Sequence, residues 1–154
     1  MNLKKKVMLL DAVSAMAVSS VAGAAGIGLV NMAQAIHNYP GYGALELKMK
    51  QVDAKYQPQY EKQMAAVQKL ADAGDKTGAK AQYDSKVAPI MKQYEGEITT
   101  LQTPMMKDIF DRVEAIRVQK GLDVVLSSPQ AILAAPQGTK IENVTKDLVD
   151  GYKK

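Results

Sequence analysis

The chain has 154 residues, a formal charge of +4, one His and no Cys. That length allows one domain with a modest core. The absence of Cys excludes a disulfide, a thiol nucleophile, a Cys-based metal site and a lipid-anchored lipobox, and a single His (His37) excludes a His-based metal cluster. Nucleic-acid binders carry a clustered basic stripe, and none is visible.

Met1–Ala24 opens with Lys4, Lys5 and Lys6, continues through an apolar stretch from Val7 to Val21, and ends in Ala22-Gly23-Ala24. A basic start, an apolar middle and a small-x-small end predict a cleaved export signal. A membrane anchor left in place would need about 20 apolar residues, more than the run supplies, although Asp11 is a charge within it. Loss of the segment lowers the formal charge to about +2.

Ile27–Met32 is short and apolar and predicts a strand; Ala33–His37 predicts one helical turn, stopped by the Pro and Gly of Asn38–Gly43. From Ala44 the period changes. Leu45, Met49, Val52, Tyr56, Tyr60, Met64, Val67 and Ala71 form one row, and Tyr83, Val87, Ile90, Tyr94, Ile98, Leu101, Met105, Ile109, Val113 and Ile116 a second. Spacings of three and four predict amphipathic helices. The glycine-bounded stretch Asp72–Gly78 predicts the turn of an antiparallel helical hairpin from Ala44 to Gln119. From Tyr83 to Ile116 the step averages about 3.67 residues, which favours a nearly straight arm over a heptad coiled coil.

Pro58, Pro89 and Pro104 fall inside this pattern. Each removes a backbone hydrogen bond, at a cost of roughly 3 kcal/mol in a helix interior. With the turn centred on Lys76, Pro58 lies opposite Tyr94 and Pro89 opposite Gln63, so the two are either tolerated bends or a candidate joint of the arm. Beyond Gly121, Leu122–Leu126 and Ala131–Ala134 predict strands, and Asn143 is a natural N-cap for a last helix through Tyr152. The expected organisation after the signal is one domain of residues 25–154. It is mainly α with a small β body from residues 25–43 and 120–154, and the arm 44–119 is inserted between.

No phosphate loop, metal-ligand spacing or nucleophile elbow is present, so neither an enzyme nor a cofactor or metal is expected. His37 reads most simply as a surface residue, and Glu95, Glu97, Asp108 and Asp111 as a solvated helix face. Tyr56, Tyr60, Met64, Tyr83, Met91 and Tyr94 recur at helical spacing. They form either the seam between two helices or a surface facing a client, for which flexible Met and amphipathic Tyr are suited.

Three motifs in this order, Ile27–Met32 after a signal-peptide site, Gly121–Leu126 after the long helix, and Asn143–Val149 at the closing helix, resemble the Skp/OmpH family of periplasmic chaperones. The resemblance implies a periplasmic homotrimer whose bodies share a small β-barrel and whose arms enclose unfolded outer-membrane proteins, without ATP. An arm of this size also leaves little chain for a core, which fits an oligomer. The family's arm tips are strongly basic. Here Lys69, Lys76, Lys80 and Lys86 face Asp72, Asp75 and Asp84, a net of +1, too little for capture of lipopolysaccharide or anionic membrane to be assumed. The alternative function is a non-catalytic envelope adaptor that uses the arm as a spacer.

Overall fold

A computed structural model describes residues 26–132 and 137–153; the expected export signal Met1–Ala24 lies outside them. The described chain is mainly helical with one small sheet. It forms two compact units that divide at Gly43 and Pro104: residues 43–103 make one, and residues 26–42 with 104–153 the other.

The sheet of the second unit joins β1 (Gly26–Leu29), β2 (Val124–Leu126) and β3 (Lys140–Asn143) in the order β2-β1-β3, with both pairings parallel. Ile27 pairs with Val124 on one side and Ile141 on the other. Gly26 and Gly28 are required by close approach. A Cβ on Gly28 would lie 2.9 Å from both Leu122 Cδ1 and Val125 Cγ2, and one on Gly26 2.9 Å from Leu122 Cδ2. β1 is thus shorter than expected, because Asn31 leaves the strand to cap α1 (Met32–His37) by accepting from the Gln34 N–H at 3.0 Å.

The strand expected at Ala131–Ala134 is not formed in its described part. Pro129–Ala131 is a 3-10 turn and Ile132 lies outside any strand; residues 133–134 are outside the described chain. The third strand is β3, which the apolar pattern passes over. Lys140, Glu142 and Asn143 are polar and even Ile141 is 53% exposed, as suits an edge strand. The last helix, α5 (Thr145–Gly151), is capped at Val144 and not at Asn143. Asn143 still acts locally, its Oδ1 accepting from the Thr145 N–H at 3.0 Å. The buried Thr145 hydroxyl accepts from the Asn31 N–H at 2.8 Å, tying the starts of α1 and α5 together.

α2 (Tyr42–Asp72) and α4 (Ala88–Gln119) are the long helices, with α3 (Lys76–Gln82) between them. Residues 104–119 of α4, expected in the arm, cluster with the sheet unit. There Met105 and Ile109 are buried, Arg112 donates to the Gly151 carbonyl at 3.0 Å, and Arg117 donates to the Leu122 carbonyl at 2.9 Å. α4 ends as its glycine predicts. Gly121 takes φ +62°, its N–H bonds the Val118 carbonyl, and the Leu122 N–H bonds that of Arg117.

α2 ends in the same motif at Gly74 (φ +82°), with the Gly74 N–H on Ala71 and the Asp75 N–H on Leu70. The turn is therefore shorter than Asp72–Gly78. Asp75 caps α3 by accepting from the Gly78 N–H at 2.8 Å, so Lys76–Gly78 are already helical. Cross-contacts in this unit join Gln63 to Gln82, Asp53 to Tyr94 and Met49 to Gln102, falling numbers against rising ones, and Tyr56 reaches Glu97. Gln63, expected beside Pro89, thus bonds Gln82.

Candidate functional site

The helical unit has an aromatic centre. Tyr56, Tyr60, Val87, Tyr94 and Ile98 form one buried cluster, with Met49, Val52, Met64, Val67, Ile90 and Met91 packed half-buried against it. The rings of Tyr56 and Tyr94 meet edge to face at 5.9 Å and 74°, a geometry that aromatic pairs favour. A buried tyrosine still needs a partner for its hydroxyl, and here both partners are carboxylates on the facing helix. Tyr94 donates to Asp53 Oδ1 at 2.7 Å, and Tyr56 donates to Glu97 Oε1 at 2.6 Å. Lys55 donates to the same Glu97 oxygen and stands 4.7 Å over the Tyr56 ring.

These contacts shift titrations. Burial, and then the bond to Asp53, pushes the Tyr94 hydroxyl well above the usual tyrosine range. The Lys55 ammonium first, and the Tyr56 hydroxyl second, hold the Glu97 carboxyl below its usual value, and Glu97 in turn raises Lys55. Glu97 is thus a cross-helix acceptor and not simply part of a solvated face. Asp108 is likewise engaged, accepting from Arg112 Nε at 2.9 Å; Asp111 is exposed and paired with Lys107, and Glu95 is exposed.

The six residues singled out as seam or client surface therefore separate into three groups. Tyr56, Tyr60 and Tyr94 lie inside the seam, Met64 and Met91 are half-buried on its flank, and Tyr83 is 39% exposed. Asp53, Lys55 and Glu97 were missed by the apolar pattern. The signal available was general: a buried tyrosine hydroxyl has to be satisfied, and Asp53 and Glu97 each lie three residues from a tyrosine of an apolar row. Beside the seam, an open groove of about 700 Å³ is lined by Val52, Lys55, Tyr56, Gln93, Gly96, Glu97, Thr100 and Leu101.

The tip lysines Lys69, Lys76, Lys80 and Lys86 are all exposed, and Lys80 is paired with Asp84. Pro58 is an exposed residue inside an unbroken α2, while Pro89 stands two residues after a π-helical turn at Tyr83–Val87. His37 is exposed, with its ring 5.5 Å from that of Tyr42. Among the described residues no group of three or more His, Cys, Asp or Glu is placed to hold a metal ion, and no helix is long and apolar enough to cross a membrane. What the arrangement offers is a stiff, cross-bonded seam with methionine flanks, suited to binding. No protein-family model and no curated protein sequence matches the chain.

Proposed function

We propose that the chain is an ATP-independent periplasmic holdase. In this reading α2 and α4 form an antiparallel hairpin arm, three copies assemble through their sheets, and unfolded outer-membrane proteins are held between the arms. The observation that carries it is the division of labour along the helical unit. The Tyr56 and Tyr94 hydroxyls are satisfied by Glu97 and Asp53 within the seam, and the flexible thioethers of Met49, Met64 and Met91 stay partly exposed alongside Tyr83 and the 63%-exposed Leu47. Soft apolar groups on a stiff support favour weak contact with many sequences. Among the described residues the outer edges of β2 and β3 carry no further strand, and such edges supply places for other copies to pair.

The test is dilution of a urea-unfolded outer-membrane β-barrel protein with and without a stoichiometric amount of this chain. Suppressed light scattering supports the holdase; unchanged scattering refutes it.

A second reading, an envelope adaptor with the arm as a spacer, draws on the same seam. Three of the four arm tyrosines singled out are consumed internally, and the exposed surface near the tip is largely polar. It predicts a folded partner and little affinity for unfolded chains. Mass in solution separates the two at low cost, since a stable monomer is incompatible with the trimeric cage.

A further inference from the structure

We infer that the π-turn Tyr83–Val87 is a two-state register device, which lets the tip segment α3 turn about its own axis while the tyrosine seam stays fixed. The inference rests on local geometry and is independent of the chaperone reading. In the turn, the Ala88 N–H bonds the carbonyl of Tyr83, five residues back. A π-turn therefore holds one residue more than an α-turn, and such turns are rare because they are intrinsically less favourable than continuous α-helix. Its position has a cause. Pro89 follows within two residues of the turn, and in a continuous α-helix its ring would clash with the Ser85 carbonyl. Pro89 penalises the α form and the wider hydrogen-bond ring penalises the π form. The two forms are thereby brought close in free energy.

The surroundings permit the exchange. Asp84, Ser85 and Lys86 are exposed and Tyr83 is 39% exposed, whereas Val87, the last residue of the turn, is fully buried in the seam cluster. The extra residue thus sits on the solvent side with its C-terminal end anchored. On the other side of the turn, the Gln82–Gln63 bond is the one side-chain hydrogen bond from α3 to α2 among the described residues. Contraction to α would advance α3 by one residue, a rotation of about 100°. It would carry Ala79 out of its buried position and redirect the Tyr83 ring, without breaking the Tyr94–Asp53 or Tyr56–Glu97 bonds. Helix register shifts of this kind occur in microseconds to milliseconds.

The test is ¹⁵N relaxation dispersion on the full chain, in the wild type, in a variant lacking Ser85, and in Pro89→Ala. The wild type is expected to show exchange at Ala79–Val87 and none at Tyr94–Leu101. Deletion of Ser85 removes the extra residue, so the turn closes to α with α3 kept in its wild-type orientation and the exchange is lost. Should that deletion fail to fold, Pro89→Ala decides, because relief of the clash with every residue kept moves the shifts toward the wild-type minor state. Flat profiles at Ala79–Val87 in the wild type overturn the inference, as does exchange that persists unchanged in the variants.

Discussion

Replacement of Tyr94 by Phe removes one oxygen from the seam and keeps its ring. The hydroxyl donates to Asp53 Oδ1 at 2.7 Å from a residue that is 2% exposed. Hydrogen bonds to charged groups contribute about 1.5–3 kcal/mol. Asp53 is half-buried and can regain water when the donor is lost, so about 1–2 kcal/mol of destabilisation is expected. Tyr94→Ala also deletes the ring that meets Tyr56, and a large-to-small change at a buried aromatic costs about 3–5 kcal/mol. Urea unfolding followed by far-UV circular dichroism measures both. The midpoint should fall with an unchanged slope, since the surface exposed on unfolding is nearly the same. Adding Asp53→Ala to Tyr94→Phe closes a double-mutant cycle, with a coupling of about 1 kcal/mol expected between residues in contact. A neutral Tyr94→Phe variant, or a coupling near zero, would refute the view that tyrosine–carboxylate bonds hold the two helices together.

Acid should destabilise the protein through its bridging carboxylates. Lys120 and then Lys140 hold the Glu142 carboxyl down at about 2, against an ordinary 4.5, and Glu97 is lowered by Lys55 and Tyr56. Depressed folded-state values mean that this stability is complete above about 4.5 and is lost as pH falls toward about 2. Melting temperatures measured from pH 6 to pH 2 should decline across that window, and Glu142→Gln should flatten the decline. Gly28→Ala places a methyl 2.9 Å from Leu122 and Val125 and should cost about 1–3 kcal/mol by overpacking, read from the urea midpoint. Gly96 lies mid-helix with open space around it, so Gly96→Ala should stabilise by roughly 1 kcal/mol, read the same way.

The long helices were legible because their rows repeat at three and four over many turns, and the stops were legible because Gly74 and Gly121 take positive φ. β3 was not, because a strand at the edge of the described sheet needs no apolar alternation. Residues 104–119 looked like more arm, since a helix row says that a face is buried but not what covers it. Met105 and Ile109 belong to the same row as Tyr94 and Ile98, yet they cluster with the sheet. The tyrosine seam was visible as spacing, while its partner Glu97 was read as a solvated face and Asp53 was passed over, because charge pattern alone does not show which acids reach across. The π-turn had no visible signal beyond Pro89, since the apolar steps Tyr83, Val87 and Ile90 fit an ordinary α-helix equally well.

The proposed holdase turns on preference for unfolded chains, and fluorescence anisotropy tests that directly. A labelled outer-membrane β-barrel protein, either freshly diluted from urea or folded in detergent micelles, is titrated with this chain. The account predicts saturable binding of the unfolded form and none of the folded form. Binding of neither, or of the folded form alone, would contradict it.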